Sequence, residues 1–306
     1  MIYKSFQSKF EYIYGRAPCE AVLRSSNREI QELTILVDYR GKQFLTYNIH
    51  FLVGPPERIK NVIDLANKRK IKIKYMKKER MEKLVRDNKH GGIIIKCSKR
   101  EYIPLKKFSE LRSNFNKKNR NIVVVIDRIT DNFNFSNIIR SSVFLGADAI
   151  VVNKEDRPQL NNIIAKTSYG ASEVSKIYSI KFIKQFISEA KQEGWTVIGT
   201  KAEKEKEENL RSNDKDNLRK ETDISNKCVN VVLDSLELKS DSNVIVLISS
   251  EIDSHSNSFD FKVSISPQID DKSTYKSLYN VIDGLNPGVS IGFIINHLNK
   301  ILKAKS

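Results

Sequence analysis

The chain of 306 residues contains few cysteines and no long apolar run. Its cysteines, Cys19, Cys97 and Cys228, are widely spaced and odd in number, so they predict neither a disulfide framework nor a zinc knuckle and favour a reducing compartment. Apolar runs such as IVVVI and VIVLI are about five residues long, whereas a membrane-spanning helix needs roughly 20. We therefore expect no membrane span.

Several common catalytic motifs are also missing from the sequence. No GxGxxG and no P-loop sequence occurs, which argues against a dinucleotide-binding Rossmann site and against an NTPase. A serine hydrolase of the α/β type would need a GxSxG turn, and none is present. The four histidines are scattered and make no metal-ligand spacing with the cysteines, so we predict no metal site.

Basic residues outnumber acidic residues, 53 against 37, which gives a net charge of +16 and a pI near 9.6. Such an excess favours a polyanionic partner, and RNA, DNA and an acidic membrane surface all fit. Biased codon usage is the alternative explanation for the many lysines. The hydrophobic content of 40% and charged content of 29% are typical of globular proteins.

Periodicity divides the chain into two α/β regions. Residues 11–99 read as a small unit with a helix after Gly15, a strand TILV, a helix after Pro55 and Pro56, and a strand IKIKYM. Residues 100–120 are basic and read as a linker, and residues 121–306 form the second region with a polar insertion at 201–227. Residues 1–10 resemble an organellar transit segment, with a short disordered terminus as the alternative.

The second region has five apolar strand patterns, IVVVI, AIVV, TVIG, NVIVLIS and FKVSIS, which suit a parallel sheet covered on both faces. In such sheets the ligand site lies beyond the carboxyl ends of the strands. The loops there carry polar residues such as Asp131, Asn134 and Glu251. An amphipathic helix ends the chain, and its predicted apolar face consists of Val289, Phe293, Ile294, His297, Leu298 and Ile301.

The segment VVVIDRITDNFNFSNIIRSSVFLGADAIVV resembles the first motif of the SpoU (TrmH) family of RNA 2′-O-ribose methyltransferases, with Asp131, Asn134 and Arg140 in register. Downstream, IAKTSYGASE is similar to the family's K-x-S-x-G-A-x-E. VIVLISSE carries the glutamate of the second motif at Glu251, and GLNPGVSIGFII is similar to the third motif at Leu285 and Asn286. YGRAPCEAVL and NKHGGIII resemble parts of the family's small RNA-binding domain.

The chain departs from these motifs mainly at glycine positions. In the second motif, Ser249, Ile252 and Ser254 stand where glycines are usual. In the first motif, Asn132 replaces proline and Ser136 replaces glycine. Glycine allows close approach of the backbone to a ligand and a positive φ, so these changes affect the shape of the donor pocket.

The resemblance implies a C-terminal parallel-sheet trefoil-knot (SPOUT) domain and a small N-terminal α/β RNA-binding domain (L30e-like). It implies S-adenosylmethionine as cofactor, a homodimer, and methylation of a ribose 2′-hydroxyl. The layout is most similar to mitochondrial enzymes that modify a guanosine in large-subunit rRNA, which makes rRNA the expected partner and the mitochondrion the expected location. A tRNA ribose methyltransferase and a catalytically silent RNA-binding or ribosome-assembly factor remain alternatives.

The resemblance also implies which residues form the site. The catalytic set is Asn134, Arg140, Glu251 and Asn286, where Arg140 clamps the phosphate and hydroxyl and the others orient the site. The cofactor-binding set is Thr200, Ser249, Ile265 and Leu285. Each residue of the catalytic set has an ordinary structural alternative. Arg140 could be a surface residue of a helix, and Asn134, Glu251 and Asn286 could be helix caps.

Overall fold

The computed structural model describes residues 9–36, 57–86, 90–115, 120–201, 229–251, 255, 258–265 and 285–303. Contacts divide the chain into two units. The first combines Met1–Tyr102 with Pro158–Lys176, and the second combines Ile103–Arg157 with Ile177–Ser306. The two linear regions predicted from the sequence do not anticipate that 158–176, from the middle of the second region, packs with the first unit.

The helices and strands alternate along most of the chain. In order they are β1 (Phe10–Tyr14), α1 (Arg16–Arg24), β2 (Ile30–Leu36), α2 (Glu57–Lys68), β3 (Lys72–Met76), α3 (Lys78–Val85), β4 (Ile93–Ser98), β5 (Ile103–Pro104), α4 (Phe108–Arg112), β6 (Ile122–Asp127), α5 (Asn132–Phe144), β7 (Ala149–Asn153), α6 (Asn162–Thr167), α7 (Ala171–Val174), β8 (Ile177–Ile180), α8 (Ile183–Gln192), β9 (Thr196–Lys201), β10 (Val229–Val232), β11 (Val244–Ser249), β12 (Phe261–Ser264) and α9 (Pro287–Lys303).

The first unit contains a four-stranded sheet in the order β1-β4-β2-β3, in which only the β2–β3 pair is parallel. Successive side chains of β4 point to opposite faces of the sheet, and side chains on both faces are buried. Ile93 and Ile95 pack with residues of α1 and α2, while Ile94 packs with Tyr14 and Met81 on the other face. The small unit thus has a core on each side of its sheet.

The second unit contains an eight-stranded sheet in the order β10-β12-β9-β11-β6-β7-β8-β5, and all its pairings are parallel. Every residue of β6 and β11 is buried, as expected for strands covered on both faces. The prediction of an α/β fold with a parallel sheet is confirmed. The short strands β5, β8 and β10 were not predicted, because two to four residues carry little periodicity.

The range 100–120, predicted as a basic linker, is partly structured. It contains β5, which pairs with β8, and α4. Phe108 of α4 is fully buried and packs edge-to-face against Phe186 and Trp195, with ring centroids 5.2 Å apart in both cases. This part of the linker therefore contributes to the core of the second unit.

The apolar face predicted for the final helix is correct only in part. Ile294 and Leu298 are buried, but Val289 and Phe293 are exposed. The buried face also uses Ile291, Ile295 and Leu302, so the face that packs inward is rotated from the predicted one.

Two predicted segments, the transit segment at 1–10 and the insertion at 201–227, lie almost entirely outside the described residues. In the part of the chain that the structure describes, no helix is long and apolar enough to span a membrane.

Candidate functional site

Three neighbouring strands of the second unit end in polar residues that bond to one another. Asp127 ends β6, Asn153 ends β7 and Ser249 ends β11. Asn153 donates through Nδ2 to Asp127 Oδ1 at 2.8 Å, and Ser249 donates through Oγ to Asp127 Oδ2 at 3.2 Å. This edge, at the carboxyl ends of parallel strands, is where α/β sheets bind ligands.

His255 completes the network around Asp127. Its Nε2 lies 3.0 Å from Asp127 Oδ2, and both side chains are buried. Burial alone would raise the pKa of Asp127, but hydrogen bonds from His255, Asn153 and Ser249 outweigh it and lower the pKa below its usual value. Asp127 is therefore a buried carboxylate that stays ionised at neutral pH.

The amino end of α5 meets the amino end of α9 at two asparagines. Asp131 caps α5, since its Oδ1 accepts the backbone N–H of Asn134 at 2.8 Å. Asn134 is therefore not the cap, and its Oδ1 accepts instead from Asn286 Nδ2 at 3.0 Å. Asn286 also caps α9, because its Oδ1 accepts the N–H of Gly288 at 2.9 Å. The Asn286 side chain therefore caps α9 through Oδ1 and contacts Asn134 through Nδ2.

Close packing of the two helices makes this contact possible. A Cβ atom on Gly288 would lie 2.5 Å from the Cβ of Asn137, so only glycine lets α9 approach α5 here. Further along, Asn299 donates to the carbonyl of Leu145 at 2.8 Å. Gly288 therefore lets α9 pack closely enough to place Asn286 against Asn134.

The charged residues of the predicted catalytic set lie at the surface. Arg140 is exposed on α5, six residues after Asn134. Glu251 is also exposed and forms an ion pair with Arg128, which directly follows β6. Ser250 donates to the carbonyl of Arg128 at 2.8 Å, so the loops after β6 and β11 are joined.

The predicted cofactor-binding residues are placed at or near the ends of strands. Thr200 is buried near the end of β9, beside Ile248 of β11. Ser249 is buried in the Asp127 network. Ile265 directly follows β12, and Leu285 is exposed before α9. The segment between these last two, 266–284, lies outside the described residues.

Sequence reasoning missed the residues that organise this edge: Asp127, Arg128, Asn153 and His255. Asp127 and Asn153 each end an apolar run, which is a usable signal in a parallel sheet. His255 carries no such signal, because its meeting with Asp127, 128 residues earlier, depends on the strand order.

The segment IAKTSYGASE, singled out by the resemblance, belongs to the first unit. Arg28 and Glu173 form a bidentate pair there, with Nε to Oε2 at 2.7 Å and Nη2 to Oε1 at 3.0 Å, and neither side chain is exposed. The other N–H groups of Arg28 bond to Glu11, the carbonyl of Ser98 and the carbonyl of Leu160, so all five are used.

Other residues of this segment also contact the first unit. Gly170 has a φ of 85°, and a Cβ on it would lie 2.6 Å from the Cβ of Ala21 in α1. The ammonium group of Lys166 lies 4.8 Å from the ring centroid of Tyr14. The lysine, glycine and glutamate of the K-x-S-x-G-A-x-E pattern thus share one structural role, the attachment of this segment to the first unit.

Two family models match the chain. The SpoU rRNA Methylase family matches residues 121–231, and the model described as RNA 2′-O ribose methyltransferase substrate binding matches residues 12–103. Together they cover about two thirds of the chain.

Curated relatives match over shorter stretches. The chain is 24% identical to human rRNA methyltransferase 1, mitochondrial, over 193 residues, which are 63% of this chain and 50% of that protein. It is 29% identical to the Schizosaccharomyces pombe protein of the same name over 153 residues, 43% of this chain and 51% of that protein. The chain thus spans about half the length of these relatives.

A solved structure supports the fold. The S-adenosylmethionine-bound rRNA methyltransferase from Sinorhizobium meliloti superposes with a TM-score of 0.60 at 14% identity, covering 96% of this chain and 88% of that one. The shared fold agrees with the two family models, and these models show that the chain belongs to the SpoU family of RNA methyltransferases.

Proposed function

We propose that this protein transfers a methyl group from S-adenosylmethionine to the 2′-hydroxyl of a ribose, a guanosine in large-subunit rRNA, inside mitochondria. The contact between Asn134 and Asn286 is the observation that carries the proposal. Their side chains, 152 residues apart in sequence, come from the first and third motifs and meet at 3.0 Å at the amino end of α5, the helix that also carries Arg140. The names of the human and fission-yeast relatives support rRNA and the mitochondrion.

The residues present fit S-adenosylmethionine at the carboxyl edge of the sheet. Thr200 lies near the end of β9 and Ser249 ends the neighbouring strand β11, and His255 has a buried ring nitrogen that finds no partner among the described residues. We propose that these groups, together with Ile265 after β12 and Leu285 before α9, would hold the cofactor. When bound, S-adenosylmethionine supplies a methyl group on a positively charged sulfur.

Arg140 handles the acceptor in this mechanism. A ribose hydroxyl is a weak nucleophile, and a guanidinium has hydrogen-bond donors but no acceptor, so Arg140 is not a proton acceptor. Its exposed guanidinium binds the phosphate next to the ribose and stabilises negative charge that develops on the 2′-oxygen. Asn134 and Asn286 orient the acceptor, and Glu251 holds Arg128 and hence the loop after β6.

The first unit is proposed to bind the RNA. Its matching family model is described as substrate binding. On its sheet the ammonium groups of Lys9 and Lys96 lie 5.6 and 5.9 Å from the ring centroid of Phe10, which places positive charge around an aromatic ring. Such groups bind phosphates and stack on unpaired bases. We propose residues 11–99 as an L30e-like domain and 121–306 as the methyltransferase domain, with the trefoil knot that the family resemblance implies.

A homodimer is the proposed assembly. Large apolar side chains are exposed on the packed helices α5 and α9, with Phe144 86% exposed and Phe293 52% exposed. Exposed aromatic patches of this kind mark interaction surfaces. A second copy of the chain is the proposed occupant of the Phe144 and Phe293 face.

A methyl-transfer assay tests the function. Purified protein with labelled S-adenosylmethionine should label unmodified large-subunit rRNA at a ribose 2′-oxygen. Arg140→Ala should reduce the rate at least ~100-fold, about 2.7 kcal/mol of transition-state stabilisation, and leave cofactor affinity unchanged. Arg112→Ala is the matched control and should keep the wild-type rate. It also removes one arginine from a helix, but Arg112 lies on α4 and pairs with Glu193.

Two other outcomes point to the alternatives. Labelling of tRNA in place of rRNA would assign the enzyme to tRNA ribose methylation. RNA binding with no cofactor binding would support a silent RNA-binding factor, which the non-glycine residues Ser249, Ile252 and Ser254 favour. Titration calorimetry with S-adenosylmethionine separates this last case from an active enzyme.

A further inference from the structure

His255 leaves one ring nitrogen unused in a buried position. Its Nε2 is bonded to Asp127, while Nδ1 has no hydrogen-bond partner within the described part of the chain. The residue is only 5% exposed. A buried polar atom without a partner costs about 1–3 kcal/mol, so such an atom in a native fold calls for a ligand or another explanation.

The state of the neighbouring carboxylate determines what Nδ1 can do. Asp127 has only acceptor oxygens when ionised, and Asn153 and Ser249 already donate to it. His255 must therefore donate through Nε2–H. In the neutral ring this leaves Nδ1 as a lone pair that accepts a hydrogen bond. Asp127 thus fixes both the orientation and the tautomer of the imidazole.

The position of this nitrogen selects the kind of ligand. It lies beside the carboxyl ends of β6, β7 and β11, at the edge where parallel sheets bind small molecules. A side chain that is 5% exposed at this edge suits a small ligand that enters a pocket. An adenosyl group does fit this role, because its amino group and ribose hydroxyls are hydrogen-bond donors.

We propose that His255 is a cofactor-binding residue whose Nδ1 accepts a hydrogen bond from the adenosyl part of S-adenosylmethionine, while Asp127 holds the ring. The inference rests on the proposed function. It also gives the altered second motif a role. The family pattern has glycines at positions where this chain has Ser249 and Ser254. Ser249 bonds to Asp127, and His255 directly follows Ser254. Side-chain contacts then replace part of the contact that a glycine-rich loop makes through its backbone.

His255→Gln separates the ligand contact from a structural role. The glutamine Nε2 overlies the histidine Nε2 and keeps the donor to Asp127, but glutamine has no acceptor at the place of Nδ1. His297→Gln is the matched control, because His297 lies on α9 with its Nε2 near the carbonyl of Leu236. Calorimetric titration of the full chain would use S-adenosylmethionine, S-adenosylhomocysteine and 5′-methylthioadenosine, which share the adenosyl group.

The expected result is a loss of about tenfold in affinity for all three ligands in His255→Gln, as for one lost hydrogen bond. Its thermal midpoint without ligand should equal that of the wild type, and His297→Gln should bind all three normally. Equal binding by His255→Gln and wild type overturns the inference alone. Weaker binding together with a lower thermal midpoint of the ligand-free variant also overturns it, since that pattern marks a structural role. If the wild type binds none of the ligands, the proposed function fails first.

Discussion

Replacing Glu173 by glutamine should strongly lower the free energy of unfolding of the first unit, although the change keeps the shape of the side chain. Glu173 accepts two hydrogen bonds from Arg28, at 2.7 and 3.0 Å, and both side chains are completely buried. Burial tends to lower the pKa of Arg28, but the hydrogen bonds and charge of Glu173 outweigh it and raise that pKa further. A guanidinium stays charged in proteins and Glu11 remains its partner, so Arg28 keeps its charge in the variant, where a glutamine N–H group faces its N–H groups.

The size of the effect follows from this geometry. Removing one partner of a buried pair typically costs about 3–5 kcal/mol, because the remaining charge stays buried without compensation. Glu11 still accepts from Arg28 Nη1 at 2.7 Å, so we expect the lower end, about 3 kcal/mol. Since each 1.4 kcal/mol is a factor of ten in an equilibrium constant, opening of the first unit should become ~100-fold more frequent.

Hydrogen exchange followed by mass spectrometry measures this directly. Peptides from α1, β2 and α7 should exchange ~100-fold faster in Glu173→Gln, while peptides from β6 and β11 of the second unit should be unchanged. Glu20→Gln is the matched control, because its pair with Arg24 on α1 is exposed and worth at most about 1 kcal/mol. Exchange in Glu173→Gln that equals exchange in Glu20→Gln would refute the assigned role of the buried pair.

Three further predictions concern thiols, acid and assembly. Burial raises the pKa of the Cys19 thiol well above its usual value and that of Cys97 to about 12, so in a Cys228→Ser background neither should react with a thiol reagent at pH 8 until the chain is unfolded; labelling of the native protein would contradict this. The pKa of Asp127 is lowered in the fold, so its contribution to stability is complete above its unfolded pKa of about 3.9 and is lost as the pH falls through the lower folded value. Urea unfolding between pH 2 and pH 6 should therefore show a weaker acid dependence in Asp127→Asn than in the wild type, and identical slopes would argue against an ionised Asp127. Phe144→Asp should convert the proposed dimer to monomer in light scattering, whereas a variant that stays dimeric would exclude the α5–α9 face.

Much of the site was predictable because it follows strands that the sequence marks clearly. β6 and β11 are uninterrupted apolar runs, and the polar residues after them had to lie at one edge of a parallel sheet. The contact of Asn134 with Asn286 brings together two residues of the predicted set. The N-cap alternative for Asn134 is wrong. Both Asp131 and Asn134 are residue types that cap helices, and Asp131 occupies the cap position. Residue type alone does not resolve such a competition.

The sequence by itself determined the class of fold, the order of the motifs and the residues after each strand, since these depend on local periodicity and spacing. Only the tertiary structure decided which of those residues meet. His255 finds Asp127 across 128 residues, and Arg28 finds Glu173 across 145, because strand order and helix packing bring distant segments together. The K-x-S-x-G-A-x-E segment, which lies between two strands of the second unit in sequence, packs into the first unit for the same reason. Buried charges and polar atoms are stable only where partners converge, and that convergence is a property of the folded chain.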